Sequence, residues 1–392
     1  MEKVVIVSAQ RTPVGSFQGV LSSLPAPRLG AIALKSALSK TQVSANDIHE
    51  VIMGEVLTAG VGQAPARQAA LYAGIANSTP CLTINKVCGS GLKAVMLASD
   101  SIRLGHTAVA LAGGQENMSL APHLIENSRA GFRMGNQSIT DSMIKDGLWD
   151  PYNQFHMGNA AEICSREFSF TREAQDQFAI ESYKKAQKAI ADGLFKNEIA
   201  PVTIEGKKGP TVIDTDEEPG KALFDKIPGL KPAFEKEGTI TAANASKIND
   251  GAAALLLMSE SEAKKRGLKP LATILSYATF AQDPKYFTTA PVGAIKKSLE
   301  LASLNIGDID LFEINEAFAN VTMAAQKTLE IPFEKINVYG GAIAIGHPIG
   351  GSGARILTTL VHALQSRQQK RGLATLCIGG GEAVSLIIEK TH

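Results

Sequence analysis

Two stretches of this 392-residue chain repeat one another about 260 residues apart, and that duplication restricts the fold more than any other feature. Asp47-Ile48-His49-Glu50-Val51-Ile52-Met53-Gly54-Glu55 has a counterpart 261 residues on, in Asp308-Ile309-Asp310-Leu311-Phe312-Glu313-Ile314-Asn315-Glu316. Gly89-Ser90-Gly91 with Lys93 recurs 262 residues later as Gly351-Ser352-Gly353 with Arg355. Gly113-Gly114-Gln115-Glu116 recurs after 266 residues as Gly379-Gly380-Gly381-Glu382, and Gly30-Ala31-Ile32 after 263 as Gly293-Ala294-Ile295. Short glycine and acidic strings recur by chance, but four in one order at nearly constant offset read as a duplicated unit. Each copy has an apolar-periodic helix, a strand (Glu50 to Met53; Asp310 to Ile314), a Gly-Ser-Gly turn opening a helix, and a strand ending in glycines. Strands of near-continuous apolar character alternating with helices predict an α/β fold, its parallel or mixed sheet covered on both faces. The helices after the two turns are expected over Gly91 to Leu104, stopped by Gly105, and over Ser352 to Gln365.

Residues 119–248 have no counterpart in the second copy and carry 16 basic and 19 acidic side chains, so an anionic ligand there must be met by local groups. With a long polar helical stretch from Thr171 to Asp192, they read as an inserted loop domain, a lid or binding wall. The expected division is an N-terminal half at 1–118 plus 249–270, the insert at 119–248, and a C-terminal half at 271–392.

Charge and cysteine usage narrow the partners. The balance of 39 basic and 38 acidic residues offers no bulk attraction to nucleic acid or to an anionic membrane. The longest apolar run, Ala252 to Met258, is far short of the roughly 20 residues of a membrane helix, and Met1 to Ser8 reads as a first strand rather than a signal peptide. Cys81, Cys88, Cys164 and Cys377 form no Cys-x-x-Cys pair and are too sparse for a disulfide framework. No metal site is expected, and a soluble protein of a reducing, cytoplasmic compartment is.

Cys88, in Val87-Cys88-Gly89-Ser90-Gly91, stands where a strand gives way to a helix. The positive end of that helix should favour the thiolate and lower the thiol below its free value of about 8.5. The turn alone leaves open a nucleophile or a strand-end thiol that merely packs. His347 lies in Gly346-His347-Pro348-Ile349-Gly350, within a stretch holding six glycines among residues 340–353, which reads as a wrapping loop rather than helix or strand. The P-loop pattern fails there, because Ala354-Arg355 stands where Lys-Ser or Lys-Thr is needed. The duplication places the Cys88 and His347 turns at equivalent ends of matched units, where the two side chains could meet. Cys377 precedes Gly379-Gly380-Gly381, whose N–H groups could stabilise an oxyanion, though a core thiol is an equal reading. Asn315 begins a helix, as an N-cap or as a group holding water or a substrate oxygen.

Taken together, Val87-Cys88-Gly89-Ser90-Gly91, Asn315-Glu316-Ala317-Phe318, Gly346-His347-Pro348-Ile349-Gly350 and Cys377-Ile378-Gly379-Gly380-Gly381 resemble the four signature blocks of the thiolase family. Asn244-Ala245-Ser246 and Asn249-Asp250-Gly251-Ala252-Ala253 extend the likeness to essentially the whole chain. The resemblance implies two βαβαβαββ halves forming a five-layer αβαβα core with an inserted loop domain, assembled as a homodimer or homotetramer. It implies reversible condensation of two acetyl-CoA, with coenzyme A and acetyl-CoA as substrates and no permanently bound cofactor. Cys88 would carry the acyl group, His347 would deprotonate it, and Asn315 would support a thioester oxygen through water. Cys377 would be the acid/base of the C–C step, and the N–H groups of Cys88 and Gly379 a second oxyanion site. Leu148, Met157, Phe234, Ala317 and Phe318 would line the pantetheine tunnel and acyl pocket, and Ser246 would touch the pantetheine. Gln154-Phe155-His156-Met157-Gly158 resembles the segment whose histidine recognises a short acyl chain in acetoacetyl-CoA thiolases. Three positions depart from the family: Phe287 replaces a pocket methionine, Lys221 stands nearest an absent phosphate-binding arginine, and Glu382-Ala383 replaces methionine-glycine. A broader-chain 3-ketoacyl-CoA thiolase and a non-catalytic acyl-CoA-binding relative are the competing readings.

Overall fold

The computed structural model describes residues 2–391, so Met1 and His392 lie outside the described residues. The first half runs β1 (Val4–Arg11), α1 (Ala26–Ser39), β2 (Glu50–Gly54), α2 (Pro65–Tyr72), β3 (Cys81–Ile84), α3 (Ser90–Arg103), β4 (Val109–Asn117) and, after the insert, β5 (Asn249–Ser259). The insert carries α4 (Met157–Phe168) and α5 (Arg172–Ala191) among turns and two-residue to three-residue strands. The second half runs β6 (Ala272–Ala281), α6 (Ala290–Ala302), β7 (Leu311–Ile314), α7 (Ala319–Leu329), α8 (Ile349–Ser366), β8 (Arg371–Ile378) and β9 (Glu382–Lys390).

The strands share one mixed sheet in the order β7-β8-β9-β6-β1-β5-β4-β2-β3. Read outward from β1 and from β6, both halves have the same order, and they join only where Val4 to Ile6 pairs with Ala272 to Ile274. The second half lacks a full third strand. Ile336 makes a single parallel bridge to Phe312, and the Asn337 side chain takes over the ladder there, accepting from Ile314 N–H and donating to its carbonyl, both at 2.8 Å.

Burial on both faces explains the apolar strands. In β5, Leu255 and Leu257 face a core shared with α3, α8 and strands of the other half, whereas Leu256 and Met258 face α1 and α2. On the far side α6 packs its Ile295 and Leu299 on Phe312, Leu373 and Ile387. The layers are therefore α1/α2, first half-sheet, α3/α8, second half-sheet, and α6.

Only part of the glycine-rich stretch at 340–353 is the expected loop, chiefly residues 346–348 with His347. The stretch also holds a short helix, Ala342–Ile345, and the first turns of α8, which begins three residues before Ser352. Its glycines serve helix–helix contact: a Cβ on Gly353 would lie 2.3 Å from the Leu92 backbone nitrogen, and one on Gly91 2.8 Å from that of Ala354. The repeated Gly-Ser-Gly is where two central helices touch backbone to backbone. Among the described residues no helix is long and apolar enough to cross a membrane.

The insert is fastened to both halves. Buried Arg11 on β1 donates to Glu198 at 2.6 Å and to both oxygens of Asp216 at 2.7 and 2.9 Å. Ser182 on α5 donates to Glu316 at 2.7 Å, and Asn320 on α7 to the Ala161 carbonyl on α4 at 2.6 Å.

Candidate active site

Cys88 follows a strained turn. Val87 is β-branched yet sits at φ +47°, in the left-handed region such residues avoid. Three side-chain hydrogen bonds hold it there. Asn85 Oδ1 accepts from Val87 N–H at 2.9 Å, while Ser90 Oγ accepts from Lys86 N–H at 2.8 Å and donates to the Val87 carbonyl at 2.7 Å.

The repeat mate of Ser90 does the equivalent work for His347. Ser352 Oγ donates its one proton to the Pro348 carbonyl at 2.9 Å and lies 2.6 Å from His347 Nδ1. That contact anchors the imidazole ring at Nδ1. Asn315 Nδ2 stands 3.5 Å from Nε2, and the His347 N–H is held at 2.8 Å by Asn249 Oδ1. Burial, helped by Arg355, pushes the imidazole down to about 3, so at neutral pH it is an uncharged base.

The expected low-pKa cysteine is not found. Burial pushes the Cys88 thiol up to about 11, against the pull of the N–H groups of Gly379 and of Cys88 itself. The helix end does not offset this, because Gly89 and Ser90 N–H are spent on the Lys86 and Val87 carbonyls at 3.0 and 3.1 Å. The two N–H groups that do reach the sulfur come from opposite halves of the duplication. Cys377 is wholly buried, and its thiol is raised well above its ordinary range, by burial first and then by nearby Cys88.

Ten of the twelve residues nominated from sequence line one apolar cavity of about 280 Å³: Cys88, His347, Gly379, Leu148, His156, Met157, Phe234, Ser246, Ala317 and Phe318. Cys377 and Asn315 lie behind its wall, Cys377 within an apolar cluster that includes Met157, Phe287 and Phe318. Phe287 reaches the cavity, its ring edge to face with Phe318 at 6.4 Å. His156 stacks on Phe234 at 4.8 Å and caps α4, its Nδ1 accepting from Gly158 N–H at 3.1 Å. Met118, Gly147, Ala245, Lys247, Ile248 and Ile349 also line the cavity; Ala245 and Ile349 fall within the quoted sequence blocks, and no local pattern marks the other four.

Two departures acquire partners. Glu382 forms an ion pair with Lys86, tying the Cys88 turn to the strand after Gly381. Lys221 donates to Glu217 at 2.7 Å and to Ser16 at 2.6 Å, so it is already engaged.

The duplicated α/β core brings Cys88 from one half and His347 from the other to one apolar cavity, an arrangement suited to thioester chemistry. The chain belongs to the thiolase family: residues 4–261 match the thiolase N-terminal domain and residues 268–390 the thiolase C-terminal domain. It is 55% identical over 392 residues to an acetyl-CoA acetyltransferase of Cupriavidus necator, and 50% identical to one of Pseudomonas aeruginosa, with all of both chains covered in each case. The crystal structure of the Bacillus anthracis acetyl-CoA acetyltransferase superposes with a TM-score of 0.97 at 41% identity, covering 100% of this chain and 99% of that one.

Proposed function

We propose that the chain is an acetyl-CoA C-acetyltransferase, catalysing reversible condensation of two acetyl-CoA to acetoacetyl-CoA and CoA. The observation that carries this is the meeting of Cys88, His347 and the Gly379 N–H at one cavity, with Cys377 buried just behind. Cys88 sulfur attacks the acetyl carbonyl, its proton passes to His347 Nε2 and on to the departing CoA sulfur, and an acetyl thioester remains on Cys88. Cys377, after releasing its own thiol proton to water as CoA leaves, takes an α-proton from a second acetyl-CoA; the carbanion attacks the acetyl carbonyl and displaces Cys88 as thiolate, which regains a proton from water. His347, while it carries the Cys88 proton on Nε2, and water on Asn315 hold one thioester oxygen, and the N–H groups of Cys88 and Gly379 hold the other.

On this reading residues 119–248 form the CoA-binding domain, inserted between the two parts of an N-terminal half at 1–118 and 249–270, and 271–392 form the other half. Phe287, Phe318 and Met157 restrict the acyl group. Thiolysis of acetoacetyl-CoA should therefore exceed that of 3-ketohexanoyl-CoA by at least about tenfold, one to two lost methylene fits being of that size. A flat profile over chain length would instead make the chain a broader 3-ketoacyl-CoA thiolase.

The working form is a homo-oligomer. β3 ends the sheet with one edge open and Leu82 45% exposed, which suits pairing with the same strand of a second copy. A hairpin joining His123-Leu124 to Thr140-Asp141 presents Phe132 and the 95%-exposed Met134, a contact for a dimer of dimers. Light scattering should report two or four chains; a single-chain mass would overturn this. Its four cysteines are all free thiols, consistent with a cytoplasmic setting.

A further inference from the structure

Lys247 is a partly buried cation with no ion-pair partner among the described residues, and it lies where three cavities share a wall. It borders the Cys88 cavity, a second one through Phe234, Ala245 and Ser246 to Ser16, and a third beside Tyr183 and Leu230. Two of its three N–H groups donate to the Ala242 and Ala245 carbonyls, at 2.6 and 3.0 Å, so its Nζ is fixed in place. Its ammonium lies 5.6 Å from the Tyr183 ring centroid, and among the described residues it forms no ion pair. Lys221, the cation that sequence favours, is by contrast committed to Glu217 and Ser16.

A partly desolvated ammonium satisfied only by carbonyls carries a desolvation cost that an incoming anion would offset. A CoA thioester has its reactive sulfur at one end of the pantetheine arm and phosphates at the other. All three cavities have Lys247 in their walls, and the first of them holds Cys88. Resting on the acyl-CoA reading above, we propose that Lys247 is the residue that binds the phosphates of the CoA thioester, donating its remaining N–H to a phosphate oxygen. It makes the enzyme selective for phosphorylated over phosphate-free thioesters. Chemistry at Cys88 does not require it.

The charged and titratable groups facing Lys247 are Tyr183 from α5, Glu218 and Lys221 from the turn before Ala222, Lys226 beyond it, and Glu316 from behind. Glu218 is the one acid in the outer cavities, and it is outnumbered by the three lysines. Burial pushes Lys247 down to about 8 despite Glu218 and Glu316. Its charge is thus present below that pH and lost above it, and a bound phosphate would restore it.

The test compares thiolysis of acetoacetyl-CoA by CoA with thiolysis of acetoacetyl-pantetheine by pantetheine, in the full-length protein and in Lys247→Met and Lys247→Arg. Lys247→Met should raise KM for acetoacetyl-CoA about tenfold while changing that for acetoacetyl-pantetheine less than twofold, one charge-assisted hydrogen bond being of that size. Lys247→Arg should restore the low KM and, unlike the unaltered protein, keep it above pH 8. A KM rise shared equally by both thioesters would mean that Lys247 only shapes the tunnel wall, and no rise with either would mean that it meets no phosphate; each result overturns the proposal. Turnover of neither thioester by the unaltered protein would overturn the acyl-CoA reading itself.

Discussion

Cys88→Ala should abolish both acetyl transfer and condensation, lowering turnover by at least about 10⁴-fold, the scale on which removal of a covalent nucleophile is felt. The unaltered protein incubated with acetyl-CoA alone should gain one acetyl group on the peptide bearing Cys88. A label on another residue, or none, would remove Cys88 from the mechanism. The raised thiol adds a pH signature. Because burial pushes Cys88 up to about 11, the free enzyme holds it as thiol at neutral pH. Alkylation by iodoacetamide should then climb about tenfold per pH unit between roughly 7 and 10, with no plateau near neutrality. A plateau near pH 7 would show a thiolate stabilised by a partner other than the N–H groups of Gly379 and Cys88. Bound substrate is what must make the proton move, through His347.

Cys377→Ala should divide the reaction. Acetylation of Cys88 should persist within a few fold, while condensation and thiolysis fall about 10³-fold, within the range of a lost general acid/base. The split is diagnostic because Cys377 is wholly buried in an apolar cluster, where alanine removes one sulfur atom from the packing and nothing else. Condensation above a tenth of the original rate would assign the proton transfer elsewhere. A parallel fall in acetylation would mean that Cys377 mainly supports the shape of the Cys88 pocket.

Much of this site was legible before any coordinates. Cys88 and His347 stand beside the two copies of one Gly-Ser-Gly string, and duplication alone argued that those turns would face each other. The structure adds what the repeat is for. Ser90 and Ser352 each donate to a carbonyl three or four residues back, one pinning the Cys88 turn and the other anchoring the His347 ring at Nδ1. That outcome depends on hydrogen-bond geometry, and no sequence pattern encodes it. The glycine-rich stretch misled in part, for a related reason. Glycine is a poor helix former in isolation, yet at Gly91 and Gly353 close backbone contact between α3 and α8 outweighs that propensity.

Electrostatics was the least legible part. A cysteine ahead of a helix suggests a lowered thiol, but desolvation raises Cys88 and the first N–H groups are already spent. Lys221 drew attention as the residue nearest a missing arginine, whereas Lys247, without a motif, is the cation that faces all three cavities. What the sequence determined by itself was order and alternation: two matched α/β units, an unmatched insert, and the identities of the reactive side chains. These depend on residue type and spacing along the chain, which backbone geometry converts into helices and strands locally. Tertiary structure alone decided which groups are desolvated and which cation lacks a counter-ion, because burial comes from packing between segments far apart in the chain, and that packing also fixes the local geometry in which nearby donors are spent.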